Sequence, residues 1–287
     1  MNDLQGKHAI VTGSDSGIGK AIALEFARNG ANVVVCYHRN EKAASEVVRQ
    51  IREIGQQALE VQVDMGDERD VDSLFNKAFR EFKTIDILVN NAGTNGAKKK
   101  VVDMTTEDFE ATLRSDLYGP FFACRHFARH RIQQGGKGKI INISSIHEEV
   151  MFTDAADYNV AKGGLRNLTR TLALELGPHW INVNNIGPGM IVTPMNKDLM
   201  NNPAEQKEKG SAVPLPRPGF PEEIAKLALF LASPRVRLCH RRHLFHRRRT
   251  DAEDGKGGMI IRWRRRIANG YLTASTVQPA TTPAIRH

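Results

Sequence analysis

The first 234 residues predict an α/β fold, a single Rossmann-like, doubly wound parallel sheet with helices on both faces. Short apolar runs alternate with amphipathic segments through short links, which is typical of a parallel sheet covered on both sides. A glycine-rich turn separates the first apolar run from the first helical segment. Small or polar residues directly follow the runs, at the sheet edge where such folds bind ligands: Ser14, Asp64, Asn91, Ser145 and Gly187.

The first half of the chain predicts four strands and three helices. Gly30 ends the first helical pattern, and Asn40 is a suitable N-cap for the second helix, which stops before Gly55. The predicted strands cover residues 8–12, 32–37, 58–63 and 85–90; the first helix follows the glycine turn and the next two cover 41–54 and 67–82.

The second half continues the alternation. The helix that carries Tyr158 is closed by Gly177 and Pro178, and the last helix has a proline in its first turn. The predicted elements are a long helix from Thr105 or Thr106 to about Ile132, a strand over 139–143, a helix over 158–176, a strand over 181–186 and a helix over 221–232.

The glycine turn predicts a dinucleotide site, because it lies between a strand and a helix that leads to a second strand. Glycines let the backbone approach a pyrophosphate, and the helix N-terminus offers free N–H groups. Asn91, Ala92 and Gly93 leave room for the adenosine half, although they also suit a simple tight turn. The residues predicted to contact the cofactor here are Gly13, Ser14, Ser16, Gly17, Ile18, Gly19, Asp64, Asn91, Ala92 and Gly93.

Tyr158 and Lys162 predict a proton-transfer device, because residues four apart share one face of a helix. A free phenol is a poor base at neutral pH, and a neighbouring ammonium favours the phenolate. Ser145 ends a predicted strand and is placed to hydrogen-bond the same substrate oxygen. Without Ser145 and the glycine turn, a buried tyrosine beside a surface lysine would be the simpler interpretation.

These motifs resemble the short-chain dehydrogenase/reductase family. They are Thr12-Gly13 with Gly17-Ile18-Gly19, Asn90-Asn91-Ala92-Gly93, Ser145, Tyr158 with Lys162, and Pro188-Gly189, and they span roughly residues 5–234 in unbroken order. The resemblance implies an oxidoreductase with NADP or NAD, usually a homotetramer. Lys162 would also reach the ribose of the cofactor, and further cofactor contacts would come from Pro188, Gly189, Ile191 and Thr193.

Within the family, several segments are similar to the bacterial glucose dehydrogenases: 144–148, 184–189 and 193–196. That likeness implies a sugar or alcohol substrate, with glucose oxidised at C1, and substrate contacts from Asn95, His147 and Asn196. A ketone or 3-oxoacyl reductase is the alternative. As alternatives to a substrate contact, His147 is a general base or an ordinary histidine of a surface loop. The proline-rich segment 187–219 is long enough for a functional lid over nicotinamide and substrate.

Two positions bear on mechanism and cofactor choice. Asp116 lies where the family usually has an asparagine that holds a water in a proton relay; Asp116 accepts hydrogen bonds only, and it can bind that water or pair with Lys162. The second strand ends without an acid but with Arg39, which predicts that NADP is accepted and NAD remains usable. Arg39 facing solvent is the alternative.

Composition limits the other classes of function. No long apolar run and no signal peptide is visible, so we expect a cytoplasmic protein without membrane contact. Cys36, Cys124 and Cys239 show no metal-ligand spacing, and neither do the ten histidines, so no metal site is predicted.

The last 53 residues differ from the rest in charge. Residues 235–287 hold 13 basic and 3 acidic residues, which gives a net charge of +10. Residues 1–234 hold 28 basic and 29 acidic residues, a net charge of −1, and the whole chain therefore carries +9. Taken literally, the arginine-rich run 241–249 is a nucleic-acid or membrane patch. The evenly charged body offers no matching basic face, so we expect neither partner.

The tail also fits a shifted reading frame. The family ends its sheet with Tyr-Val-Thr-Gly, a strand and Asp-Gly-Gly. Codons for residues 236–251, read one base forward, permit Phe-Asp-Tyr-Val-Thr-Gly-Ala-Thr-Phe-Phe-Ile-Asp-Gly-Gly-Leu-Met, and the codons of Met259 and Ile260 then contain a stop. We predict a frameshift near codon 234 and a disordered tail over 235–287. A genuine basic extension is the alternative.

The written tail should also disturb the last edge strand. Arg and His occupy Arg241, Arg242, His243, His246 and Arg247, on both faces of any strand, and burying unpaired cations costs several kcal/mol each. We therefore expect that the strand does not form as in the family, and that the tetramer and the activity are impaired.

Overall fold

The computed structural model describes residues 3–194, 217–236 and 243–245, with no side chains given for the last three. The first compact unit is Met1–Asp251, and the second, Ala252–His287, lies outside the described residues. The strands of the first unit are β1 His8–Val11, β2 Asn32–Tyr37, β3 Ala58–Gln62, β4 Ile87–Asn90, β5 Gly138–Ile143, β6 Ile181–Gly187 and β7 His243–Phe245.

These strands form one parallel sheet in the order β3-β2-β1-β4-β5-β6-β7. The order reverses between β1 and β4, so their carboxyl ends flank the crevice where doubly wound sheets bind ligands. The helices of the described residues are α1 Gly17–Arg28, α2 Glu41–Glu53, α3 Glu68–Phe82, α4 Thr106–Leu113, α5 Gly119–Gln133, α6 Ala156–Leu176 and α7 Pro221–Ala232.

Side chains of the sheet alternate between two buried apolar layers, as the two-residue period of a strand requires. In β1, Ala9 and Val11 pack with α1, α2 and α7, whereas Ile10 packs on the opposite face with α3 and α5. The predicted parallel sheet with helices on both faces is therefore confirmed. None of the helices in the described parts of the chain is long and apolar enough to cross a membrane.

Helix starts follow the predicted capping chemistry. Asn40 accepts the backbone N–H of Ala43 at 3.2 Å and caps α2. Thr105, rather than Thr106, caps α4 in a reciprocal capping box with Asp108. Two orphan N–H groups are satisfied in that box, which fixes where the helix begins.

The predicted long helix to about Ile132 is present, and it contains a π-helical turn over Arg114–Tyr118 between α4 and α5. Asp116 in this turn is fully buried and faces Lys162 of α6. Pro120 follows in the first turn of α5 and has no N–H to continue the preceding hydrogen-bond ladder. The helical period of the sequence continues through this segment, so it did not indicate the interruption.

The predicted loss of the last edge strand stays a prediction, because only residues 243–245 of that segment are described and no side chains are given for them. Residues 243–245 pair in parallel with Asn185, Ile186 and Gly187 of β6. This pairing joins backbone N–H and C=O groups and covers part of the edge of β6.

Candidate active site

Three predicted catalytic side chains meet in one cleft. Ser145 directly follows β5 and caps a short 3₁₀ turn, whereas Tyr158 and Lys162 occupy the first two turns of α6. All three line a cleft of about 710 Å³ at the carboxyl ends of the strands. Lys162 Nζ lies 5.5 Å from the centroid of the Tyr158 ring. The ammonium is therefore close enough to stabilise negative charge on the phenol.

Lys162 is buried and pairs with a buried carboxylate. Its Nζ lies 3.0 Å from Asp116 Oδ2, and the Asp116 side chain is fully buried. Burial by itself lowers the pKa of Lys162, but the attraction of Asp116 and Tyr158 outweighs it, and the pKa is raised. Lys162 therefore stays a cation throughout the physiological pH range.

A polar network supports the turn that carries Ser145. Ser145 Oγ accepts the backbone N–H of His147 at 3.2 Å. Behind it, buried Glu148 accepts hydrogen bonds from Ser144 Oγ and from Asn185 Nδ2, the latter at 2.7 Å. Burial raises the pKa of Glu148, although these hydrogen bonds oppose the shift. The network ties the 3₁₀ turn to β6 and fixes the direction in which Ser145 faces.

His147 is not among the residues that line the cleft. Its Nδ1 lies 2.8 Å from the carbonyl oxygen of Val150. Its ring lies 4.2 Å from that of Phe152 and 6.1 Å from that of Tyr158, measured between centroids. The histidine thus packs within an aromatic group beside the phenol, and its predicted contact with a substrate hydroxyl stays a prediction.

The glycine turn is packed too closely for side chains. A Cβ on Gly19 would lie 2.2 Å from the carbonyl oxygen of Gly13 and 2.4 Å from Asn91 Nδ2, far inside van der Waals contact. Gly13 also has a positive φ of 59°. Asn91 Nδ2 donates to the carbonyl oxygens of Thr12 and Gly13 at 2.9 and 3.0 Å. Asn91 therefore holds the turn against the end of β4.

Most of the predicted cofactor residues do line the cleft. They are Gly13, Ser16, Gly17, Ile18, Arg39, Asp64, Asn91, Ala92, Gly93, Lys162, Pro188, Gly189, Ile191 and Thr193. Asn95 lines the same cleft, whereas Asn196 and most of the predicted lid lie outside the described residues.

Ser14 does not fit its predicted place at the cofactor. Its side chain is fully buried. Its Oγ donates to the carbonyl oxygen of Val11 at 2.7 Å and accepts the backbone N–H of Cys36 at 3.1 Å. The hydroxyl therefore joins the glycine turn to β2. Gly19 also lies behind the cleft surface rather than on it, since its role is the close packing described above.

Comparisons with known proteins agree with the fold and the cleft described above. A family model described as enoyl-(acyl carrier protein) reductase matches residues 13–245. Glucose 1-dehydrogenase 2 of Bacillus subtilis (strain 168) is 37% identical over 231 residues, which cover 80% of this chain and 89% of that protein. The chain belongs to the short-chain dehydrogenase/reductase family. It is an NAD(P)-dependent oxidoreductase of that family.

Other members of the short-chain dehydrogenase/reductase family differ in substrate. 3beta-hydroxysteroid dehydrogenase 1 of Eggerthella lenta is 39% identical over 232 residues, covering 81% of this chain and 88% of that protein. The crystal structure of a short-chain dehydrogenase from Burkholderia cenocepacia J2315 in complex with NADP superposes with a TM-score of 0.79 at 33% identity, covering 85% of this chain and 97% of that one.

Sequence reasoning missed several residues of this family member's cleft. Tyr37 ends β2, and His38 and Asn40 flank Arg39 directly after the strand; the strand-end rule would have found all three. His38 Nε2 lies 3.9 Å from Asp64 Oδ2, so β2 and β3 meet at the same end of the cleft. The other missed residues are Asp15, Val63, Met65, Thr94, Ala111, Ser115, Ile143, Ser144 and Pro194.

Ala111 and Ser115 carried no sequence signal, because they come from α4 and the π-helical turn. Asp15 did carry one, as the acid within the glycine turn, and burial raises its pKa against an opposing backbone hydrogen bond. Within the described residues, no group of three His, Cys, Asp or Glu side chains is arranged to hold a metal ion.

Proposed function

We propose that this chain oxidises a hydroxyl of a sugar or another secondary alcohol, with NADP or NAD as the acceptor. The observation that carries the proposal is the meeting of Ser145, Tyr158 and Lys162 with the glycine turn in one cleft of about 710 Å³. A proton acceptor, its supporting cation and a cofactor cradle are then within reach of one substrate molecule.

The cradle fits a dinucleotide. Gly17 opens α1 with a positive φ of 55° and lines the cleft, so backbone N–H groups at the helix N-terminus face the space that a pyrophosphate needs. Asp64, Ala92, Thr193 and Pro188 all line the cleft, and we assign the first two to the adenosine half and the other two to the nicotinamide half. When bound, the nicotinamide supplies hydride transfer.

The side chains of the chain itself handle the proton. Tyr158 as phenolate takes the proton of the substrate hydroxyl, and Lys162 stabilises the phenolate charge. Ser145 Oγ already accepts the N–H of His147, so its own hydrogen is directed to the substrate oxygen. Asp116 holds Lys162 in position at 3.0 Å.

Glucose, oxidised at C1, is the finer proposal for the substrate. It is supported by the likeness of this chain to a glucose 1-dehydrogenase and by the polar residue Asn95 in the cleft. His147 and Asn196 are the other proposed contacts with the sugar hydroxyls.

Reduction of a ketone or a 3-oxoacyl group is the second candidate. Phe152 is about half exposed, and its ring centroid lies 6.3 Å from that of Tyr158. An aromatic surface next to the phenol suits a substrate with an apolar body, since it shields that body from water.

The purified protein should be assayed with a sugar panel and a ketoester panel, each with NADP and NAD. We expect the highest kcat/KM on a sugar, and a fall of at least about 10³-fold in Tyr158→Phe, since general-base catalysis contributes 10²–10⁴. Met151→Ala is the control, because Met151 is exposed and does not line the cleft. Full activity of Tyr158→Phe would refute the mechanism, and a ketoester preference would favour the second candidate.

We also propose that the protein acts in the cytoplasm and that it forms a homotetramer. A further proposal is that its reading frame is shifted near codon 234. The location is supported by Cys36 and Cys124, both buried as free thiols. The frameshift is supported by the change of net charge from −1 over residues 1–234 to +10 over 235–287.

A further inference from the structure

Two buried carboxylates hold the loop after β4. The backbone N–H of Thr94 donates to Asp116 Oδ1 at 2.9 Å, and the backbone N–H of Ala97 donates to Asp157 Oδ2 at 2.7 Å. Thr94 and Asn95 line the cleft. The two ends of a short substrate-facing segment are therefore each fixed by a carboxylate from another element.

Asp157 has no catalytic role in the mechanism, and yet it is fully buried. Its Oδ2 also accepts the hydroxyl of Thr112 in α4 at 2.7 Å, and its Oδ1 has no hydrogen-bond partner within the described chain. Burying a carboxylate is costly, and its position in the first turn of α6, near the positive end of the helix, offsets only part of this cost. Such a residue requires a reason beyond packing.

The loop lies directly on the turn that carries the catalytic phenol. Gly96 has a positive φ of 70°, and a Cβ there would lie 2.9 Å from both oxygens of Asp157 and 3.1 Å from Tyr158 Cβ. Asp157 immediately precedes Tyr158 in α6. Any movement of the loop is therefore transmitted to the distance between Asn95 and the phenol.

We propose that Asp157 is a positioning residue for substrate, which sets the distance between the loop 94–97 and Tyr158. It acts through the Ala97 hydrogen bond, whereas the Thr112 hydrogen bond ties it to α4, and it touches neither substrate nor cofactor. The inference rests on the proposed function, because it takes Tyr158 as the proton acceptor and Asn95 as a part of the substrate wall.

The test compares three variants on the best substrate of the two panels. Asp157→Ala removes the acceptor, and KM should rise about tenfold, the equivalent of one charged hydrogen bond, while kcat and the cofactor Kd change less than about twofold. Asp157→Asn keeps an oxygen that accepts both hydrogen bonds, and its KM should stay within about twofold of the wild type. Thr112→Val removes one donor away from the loop, and should lower Tm without changing KM.

The inference is overturned if Asp157→Ala lowers Tm but leaves KM unchanged, or if Asp157→Asn is as impaired as Asp157→Ala. If Asp157→Ala does not fold, Gly96→Ala decides, because its Cβ would lie 2.9 Å from both oxygens of Asp157 and so pushes the loop and the carboxylate apart without removing the charge. A raised KM in that variant supports the inference, and an unchanged KM overturns it. Failure of the proposed function is seen separately, as activity retained by Tyr158→Phe.

Discussion

Asp116 changes the electrostatics around the catalytic lysine. An asparagine at this position would offer Lys162 a neutral amide, whereas Asp116 offers a full negative charge at 3.0 Å. The same carboxylate accepts the N–H of Thr94 at 2.9 Å. A single side chain therefore both keeps Lys162 charged and anchors the loop 94–97.

Asp116→Asn should move the alkaline loss of activity to lower pH. Burial then acts on Lys162 without the opposing carboxylate, so the pKa of Lys162 falls and its ammonium is lost earlier as the pH rises. At pH 7, kcat/KM should change by less than about tenfold, because Asn still accepts from Thr94. The measurement is the pH profile of kcat/KM, with Asp108→Asn at the surface pair with Lys99 as the control. An unshifted profile contradicts this role of Asp116.

Arg39→Asp should reverse the cofactor preference. Arg39 lines the cleft beyond β2, where a cation favours the 2′-phosphate of NADP and an acid favours the 2′-hydroxyl of NAD. We expect the KM for NADP to rise at least about tenfold, the loss of one charge-assisted contact, while that for NAD falls. Lys42→Asp, an equal charge change in α2 outside the cleft, is the control. If the KM for NADP stays unchanged, Arg39 faces solvent in the working enzyme.

At the scale of elements, the N-terminus of α1 and the end of β4 form one unit. Gly19 touches the backbone of the glycine turn, and Asn91 hydrogen-bonds that turn from β4. The cofactor cradle thus depends on contact between a helix and a strand that are about 70 residues apart in the chain. Its geometry cannot be altered in one element alone.

Gly19→Ala should weaken both the fold and the cradle. The added methyl group lies 2.2 Å from the carbonyl oxygen of Gly13, which is backbone and cannot turn aside. Overpacking of this kind costs about 1–3 kcal/mol of unfolding free energy. Thermal unfolding and the cofactor Kd should both show the loss.

Gly163→Ala is the matched control for Gly19→Ala, since it lies within α6 and its added Cβ would meet nothing within 4 Å. Alanine in an open helical position should stabilise the protein by about 0.5–1 kcal/mol. Equal effects of the two substitutions would contradict the packing argument for Gly19.

At the scale of the whole molecule, a nearly neutral catalytic body precedes a strongly basic segment. The three paired residues of β7 lie at the sheet edge next to β6. Phe230 of α7 is half exposed near the start of this segment, and exposed aromatic side chains of this kind suit a subunit interface.

Restoring the shifted frame near codon 234 should give a chain that ends near position 258 and forms an active tetramer. The written chain should show weaker assembly and less activity, because its sequence is strongly basic where the family ends its sheet with Tyr-Val-Thr-Gly, a strand and Asp-Gly-Gly. Nucleotide sequencing of the gene and light scattering of both proteins measure this. A clean open reading frame, together with an active tetramer of the 31.9 kDa chain, would overturn the proposal.

Salt-sensitive binding of nucleic acid by the written chain, lost on truncation after Pro234, would instead favour the alternative of a genuine basic extension.

The sequence alone determined the sheet, its helices and most of the cleft. Periodicity and capping are local properties of the sequence, so the strand over residues 32–37 and the helix cap at Asn40 could be predicted from the sequence alone. Cleft-lining residues such as Arg39 and Asn91 follow strand ends, and parallel strands end on one edge. The chain order of Ser145, Tyr158 and Lys162 was enough to predict a shared site.

Only the tertiary structure decided how distant parts of the chain fit together. The pairing of Asp116 with Lys162, the bond from Cys36 N–H to the Ser14 hydroxyl and the bond from Ala97 to Asp157 each involve partners that no local pattern connects. A buried polar side chain contacts the cofactor or stabilises the fold according to which hydrogen-bond partner lies within reach of it. That choice is made by packing, because a buried polar group must find a partner within a few ångströms wherever the chain brings one.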